Sequence, residues 1–501
     1  MSNIGYAKFT VGDSYYVYDT TTNAIVRMPR AAWHMLEDYL QSGAAHAIRS
    51  HRNRFAPEQL QAGVRFLDTA RTDRGMFQPF VQKDFRSLAS REHVERAVSS
   101  HLGALGLNMT DACNQRCTYC VYSGAYSGER THGSERMSWD VAKRCIDYYF
   151  AHASDEKSET ITFYGGEPLL NWDVLSKCVE YVRETLQKRG CQLRIATNLT
   201  LLNDARLKFL IGYDVGLQVS IDGPVEVHDR ARRFPDGRGT HTKVMSKLAL
   251  IRETDAAYFK DFVSLACTID KHDDPGTIVE YFTEDELLRE LPVAFGALRE
   301  SDIDGITVAP EVRDIHKDRL DRILAGYARE MALPHSPAYH KTMHNLLWSV
   351  FGQLAERRQS RCSAVVTPNT TCIPGAAHLF AASDGKLYTC EKFSILEYEI
   401  GHVDSGIDVD EALSLLGTYV AYCEDLCQEC WAYRLCSQCF VHSIAGDRIS
   451  KEQKKRSCEH TRRETLHALE RFVYLWENEP EGVRGEPFSL HAAVRAARRI
   501  E

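Results

Sequence analysis

Between residues 104 and 300, short apolar runs recur at intervals that leave room for a helix between each pair. The runs at 104–109, 160–164, 193–197, 216–221, 262–269 and 292–298 read as strands. Amphipathic stretches separate them, such as 138–152, where Ser138 is placed to cap a helix N-terminus. Six such units predict an α/β chain built on a parallel sheet with helices on its outer face, a partial (β/α)6 TIM-like barrel. In that architecture reacting groups gather at the C-terminal ends of the strands.

The flanks follow other patterns. Residues 1–85 open with β-prone runs at 6–10, 15–19 and 23–27, then amphipathic stretches near 30–42 and 57–70, which together predict a small winged-helix-like module. A linker helix is expected over 86–103, the barrel over 104–310, a helical connector over 311–361, a cysteine-rich domain over 362–460 and a helical tail over 461–501. Hydrophobic residues at 44% are enough for a large core. A formal net charge of −8 argues against non-specific binding to nucleic acid, which needs a basic surface. No apolar run reaches the length of a membrane-spanning helix, and the opening Met1-Ser2-Asn3-Ile4-Gly5 lacks the layout of an export signal. The expectation is a cytoplasmic chain with no membrane and no nucleic-acid partner.

Sixteen cysteines change the picture. In a long chain without an export signal they point to metal ligation or catalysis before disulfides. Cys145, Cys178, Cys191 and Cys267 are scattered singly and read as ordinary buried cysteines. The rest form two groups. Cys113, Cys117 and Cys120 follow the first barrel strand with the spacing C-x3-C-x2-C. Three thiolates can hold three irons of a [4Fe–4S] cluster and leave the fourth open to a small molecule. A zinc site, the alternative, prefers four closed ligands.

This motif, with the aromatic Tyr119 beside its last cysteine, resembles the radical S-adenosylmethionine (SAM) superfamily. In that family the open iron binds the amino and carboxylate groups of S-adenosylmethionine, and one-electron reduction releases a 5′-deoxyadenosyl radical. Gly165-Gly166-Glu167-Pro168 matches the family's GGEP motif, which implies contact with the methionine amino group. Thr197-Asn198 and Ser220-Ile221-Asp222-Gly223, at later strand ends, look like positions near the cofactor's ribose and carboxylate. Arg232 is expected to reach the cofactor carboxylate or the substrate. Turn chemistry, or a solvated arginine, is the plain alternative for each. No acidic residue has a spacing that marks a catalytic acid or base.

The second group has Cys372, Gly385 and Cys390 as C-x12-G-x4-C, then Cys427, Cys430, Cys436 and Cys439 as C-x2-C-x5-C-x2-C, then Cys458. It resembles the SPASM extension, which binds two auxiliary [4Fe–4S] clusters and so implies three clusters in all. The family pattern usually ends C-x5-C-x3-C, so the short gap before Cys439 is a departure. The resemblance implies Cys372, Cys390 and Cys439 at the first auxiliary cluster, and Cys427, Cys430, Cys436 and Cys458 at the second. For the first cluster's fourth ligand, Cys362, Cys423 or an open iron remain candidates. Zinc knuckles are the alternative for the whole region.

Residues 1–85 resemble the peptide-recognition element of enzymes that modify ribosomally made peptides. There the third strand's edge and the following helices grip a leader peptide by strand addition. Together these resemblances imply a maturase of the thioether-forming type. Such an enzyme joins a cysteine sulfur of a precursor peptide to a carbon of another residue, with flavodoxin or ferredoxin as electron donor. Carbon–carbon cross-linking and formylglycine formation of the anaerobic sulfatase-maturase kind are the alternatives, and a zinc-bearing scaffold or peptide-binding adaptor is the non-enzymatic one.

Overall fold

The computed structural model describes residues 4–124, 130–153, 159–270, 273–297, 321, 342–343, 345–346, 351–352, 354–367 and 371–479. Most of the expected connector at 311–361, and the tail beyond 479, lie outside these residues. Strands β1 (Tyr6–Val11), β2 (Ser14–Asp19) and β3 (Ala24–Met28) form an antiparallel sheet in that order. Side chains alternate across a strand, and β2 uses both faces. Val17 packs with Met35, Leu36 and Leu67 of the helices Arg30–Ser42 and Pro57–Thr72. Tyr16 and Tyr18 pack on the other face with Leu469 and Phe472 of the long helix Lys451–Asn478. The N-terminal sheet is therefore clamped between its own helices and a helix from the far end of the chain.

The six predicted barrel strands are present as β4 (Ala104–Asn108), β5 (Thr160–Tyr164), β6 (Gln192–Thr197), β7 (Val215–Ser220), β8 (Val263–Ile269) and β9 (Val293–Ala297). They run parallel and adjacent in sequence order. Register sorts the residues into rows. Leu107, Phe163, Ile195 and Leu217 lie side by side and pack against the covering helices. The next row, Gly106, Thr162, Arg194 and Gly216, is small or polar and falls on the opposite face. Large apolar side chains thus hold the helices, while the other face carries small and polar residues. Cys145, Cys178, Cys191 and Cys267 all lie in the helix-facing core. Helix Trp139–His152 starts as expected, with the Ser138 hydroxyl accepting from Val141 N at 3.3 Å.

One feature goes beyond the predicted barrel. The sheet does not end at β4: β10 (His378–Ala381) joins it in parallel, pairing Leu379 with Leu105 and Ala381 with Leu107. Antiparallel β11 (Lys386–Tyr388), β12 (Gly401–His402) and β13 (Gly406–Ile407) extend it to ten strands. The cysteine-rich region is therefore continuous with the barrel sheet through backbone hydrogen bonds. Among the described residues no helix is long and apolar enough to cross a membrane.

Candidate active site

The cysteine loop begins where β4 ends and is gripped from two sides. Gly166 N donates to Thr110 O at 2.8 Å and Glu167 N to Ala112 O at 2.9 Å, which ties it to the loop after β5. Arg116 N donates to Arg233 O at 2.7 Å and Thr118 N to Ala231 O at 3.1 Å, which ties it to the segment after β7. A Cβ on Gly165 would sit 2.4 Å from Thr110 O, and one on Gly166 2.3 Å from Ala112 O. Gly165 also holds φ at +130°, where side chains are disfavoured. The close approach these glycines permit in this structure is to the backbone that carries Cys113. Burial pushes the Cys113 thiol up to about 12 and Cys117 to about 11, and raises Cys120 as well. Ligation must therefore release their protons to the solvent.

Glu167 is wholly buried, and its carboxylate is occupied. It accepts from Leu169 N at 3.0 Å, from the Thr197 hydroxyl at 2.7 Å and from Asn198 N at 2.8 Å. Burial raises its pKa and these three donors oppose the shift. The group therefore joins the ends of β5 and β6, with Pro168 opening the short turn Pro168–Asn171 beside it. The Asn198 amide lies 3.9 Å from the Cys113 sulfur and donates to Asn114 Oδ1 at 2.9 Å. Asn114 in turn donates to the Thr200 hydroxyl at 2.8 Å. Asn114 and Thr200 were not singled out by sequence, although Asn114 sits inside the cysteine motif. Between Asn198 and Thr200, buried Leu199 is held at φ +64°, a strained backbone beside the first cysteine. Ser220 lies half-buried at the end of β7.

Asp222, Arg232 and Tyr119 form one buried unit. Arg232 Nε donates to Asp222 Oδ2 at 2.8 Å, and the Tyr119 hydroxyl donates to the same oxygen at 2.5 Å. The guanidinium also lies 5.3 Å over the Tyr119 ring. Asp222 Oδ1 accepts from Thr268 N at 3.0 Å. Far from being solvated, Arg232 is held with Nη1 4.0 Å from the Cys117 sulfur. His228, which sequence reasoning passed over, is buried behind this unit. Its Nδ1 accepts from Asp222 N at 3.2 Å, which assigns the proton to Nε2, 2.9 Å from the Thr240 hydroxyl. Burial pushes its pKa down to about 4, so it stays neutral.

The later cysteines also assemble. Burial raises the Cys372 thiol to about 11 and Cys390 to about 12; the neighbouring thiols that add to this are Cys439 for Cys372, and Cys372 for Cys390. Cys427, Cys430, Cys436 and Cys458 line one cavity together with Cys423, Tyr419 and Lys454. Lys454 is buried and donates to the Tyr419 hydroxyl at 3.0 Å. A buried ammonium favours thiolate ligands, so the donor set fits a thiolate-bound cluster. Among the described residues no three His, Cys, Asp or Glu side chains converge as they would on a single ion.

Cys423 and Cys362 were candidates for the first auxiliary group. Cys423 instead faces the second cavity, one helical turn before Cys427 on the helix Val409–Leu426. Cys423, Cys427 and Cys430 repeat the C-x3-C-x2-C spacing of the barrel motif, a signal overlooked in the sequence. Cys362 acts on Lys83 and Tyr433, and Lys83 Nζ reaches Cys427 O at 3.1 Å. Cys423 therefore borders the second cavity, while Cys362 stands near Tyr433, one of that cavity's lining residues. Since four other thiols suffice there, Cys423→Ala should keep the full iron and acid-labile sulfide content, while Cys427→Ala should lose about four irons per chain. Iron loss in Cys423→Ala equal to that in Cys427→Ala would make Cys423 a ligand.

Residues 107–256 match the family model for the Radical SAM superfamily. The chain is 21% identical over 308 residues to a cysteine-type anaerobic sulfatase-maturating enzyme of Clostridium novyi, covering 58% of this chain and 74% of that protein. It is 25% identical over 310 residues to a serine-type anaerobic sulfatase-maturating enzyme of Bacteroides thetaiotaomicron, covering 58% and 70%. Its fold is similar to that of native anSMEcpe, solved with bound AdoMet and the Cp18Cys peptide. The TM-score is 0.52 at 18% identity, over 79% of this chain and 99% of that one. The matched stretch runs from the end of β4 past β7 and contains Cys113, Cys117, Cys120, the glycine loop and the Asp222–Arg232 pair: the chain carries a radical SAM domain.

Proposed function

We propose that this chain is a radical SAM peptide maturase that joins a cysteine sulfur of a ribosomally made precursor peptide to a carbon of another residue. The observation that carries the reading is the gathering of Cys427, Cys430, Cys436 and Cys458 around one cavity, in a chain whose barrel loop already presents Cys113, Cys117 and Cys120. When bound, a cluster on the barrel loop would deliver the electron that cleaves S-adenosylmethionine to the 5′-deoxyadenosyl radical, and the auxiliary groups would take up the electron released as the new bond closes. The protein supplies binding, orientation and exclusion of water. Arg232, fixed by Asp222 and Tyr119 next to Cys117, offers a preorganised charge for the cofactor carboxylate. Gly165, Gly166, Glu167 and Pro168 hold the loop, while Thr197, Asn198 and Ser220 border it. Cys372, Cys390 and Cys439 would hold the first auxiliary cluster.

The module at 1–85 would bind a leader peptide. Among the described residues the outer edge of β3 carries no further strand, so its backbone groups are available for strand addition. Flavodoxin or ferredoxin would supply electrons. Formylglycine formation is the second reading, favoured by the names of the curated relatives. Against it, anSMEcpe is spanned almost whole while a fifth of this chain lies outside the match.

Mass spectrometry decides between them. A short cysteine-containing peptide encoded beside the gene is incubated anaerobically with reconstituted enzyme, S-adenosylmethionine and reductant, then alkylated. The expected product has lost two hydrogens and one alkylatable cysteine. Loss of two hydrogens with every cysteine free indicates a carbon–carbon bond or serine oxidation, and a formylglycine aldehyde reacts with hydrazide. An unmodified peptide beside newly formed 5′-deoxyadenosine would reject the substrate assignment.

A further inference from the structure

On the face of the sheet away from the covering helices, the buried cation of Arg130 has two nitrogens without an acceptor among the described residues. Arg130 is 9% exposed and lies 4.6 Å over the Tyr388 ring and 5.7 Å over the Phe380 ring. Phe380 is paired with Gly106 of the small and polar row, and Tyr388 is paired with Phe380, so both rings lie on the face that row shares. The Arg130 atoms Nε and Nη2 are shielded from water and have no hydrogen-bond partner among the described residues. The Tyr388 hydroxyl is equally buried and equally without a partner. Two aromatic faces stabilise a guanidinium from its flat sides and leave its edge unanswered. Nε and Nη2 form one edge of that plane and point in parallel, the fork that matches the two oxygens of a carboxylate. A buried charge is retained at this cost only when something compensates it.

Arg130 also stands beside residues that neighbour both sets of thiols in sequence. Its charge acts on Tyr122, which lies two residues after Cys120, while Tyr388 lies two residues before Cys390. A group held there would lie against segments that lead from the barrel loop and into Cys390. We infer that Arg130, on its Tyr388 and Phe380 floor, is a subsite for a carboxylate of the peptide substrate and fixes which peptide segment enters the site. This inference rests on the peptide-maturase reading and narrows it to a substrate with an acidic side chain or a free C-terminus at the reacting segment.

The test uses full-length reconstituted protein and saturation-transfer NMR with three small probes. N-acetyl-L-aspartate N-methylamide presents a side-chain carboxylate, N-acetyl-L-alanine a terminal one, and N-acetyl-L-asparagine N-methylamide the neutral isostere. One or both carboxylates should bind, the asparagine probe at least about tenfold more weakly, since a fork to a charged group is lost. Whichever carboxylate binds tighter identifies the source. Arg130→Lys keeps charge without the fork and should weaken binding, and Arg130→Met should abolish it. Arg130→Met should also raise the thermal midpoint, because it removes an unpaired charge and keeps an apolar stem over the rings; a structural arginine would give a lower midpoint. Equal binding of all three probes, or carboxylate binding that survives Arg130→Met, overturns the inference. So would loss of S-adenosylmethionine retention in Arg130→Met, which would give the guanidinium to the cofactor instead. Because the assay reads small carboxylates and no cross-link, a missing thioether product bears on the maturase reading alone.

Discussion

Cys117→Ala is expected to abolish 5′-deoxyadenosine formation and to lower the iron content from about twelve to about eight atoms per chain, one cluster's worth. Three thiolates already leave one iron open, and two cannot retain the cluster. The fold should survive, because the loop is anchored by backbone contacts that do not involve sulfur. These are Gly166 N to Thr110 O, Glu167 N to Ala112 O and Arg116 N to Arg233 O. A thermal midpoint within a few degrees of the parent, with the auxiliary iron intact, would therefore accompany total loss of cofactor cleavage. Anaerobic iron and sulfide analysis, with chromatography of 5′-deoxyadenosine, reads both. Retained cleavage would remove Cys117 from the ligand set.

The six parallel strands were legible because their signal is local: each strand is an apolar run, and each motif follows one directly. The helix cap at Ser138 and the burial of Cys145, Cys178, Cys191 and Cys267 were legible for the same reason. The continuation of the sheet through β10 was not. His378-Leu379-Phe380-Ala381 buries three residues of four, so it has no alternation to mark it as a strand, and its partner β4 lies over 270 positions away. Partnership was equally invisible. Sequence marked Glu167 and Asp222 as charges near the cofactor, but could not show that Thr197 and Asn198 occupy the first and Arg232 the second. The position of Cys423 was not legible either: one helical turn puts its sulfur beside Cys427, and only the fold brings it into the second cavity.

The Asp222–Arg232 pair carries the largest expected effect on stability. Arg232 has 12% of its side chain exposed and Asp222 3%, so neither charge can fall back on water. Removing one partner of a buried pair typically costs about 3–5 kcal/mol, since the other charge is left uncompensated. Asp222→Asn keeps the shape but not the charge, and should lower the thermal midpoint by roughly 6–20 °C for a barrel of this size. Thr268 N would keep the remaining amide oxygen to donate to, while an NH2 in place of Oδ2 accepts from neither Arg232 Nε nor the Tyr119 hydroxyl, so the loss falls on those two. Adding Arg232→Met to Asp222→Asn removes the stranded charge, and the double variant should regain much of the lost stability. It should not regain S-adenosylmethionine binding, because the guanidinium beside Cys117 is then gone. Equilibrium dialysis beside thermal unfolding separates the two roles. If the double variant recovers both stability and binding, Arg232 serves the fold alone. If stability stays low while binding is also lost, Asp222 has a partner more important than Arg232, and the hydrogen bond from the Tyr119 hydroxyl is the one to examine.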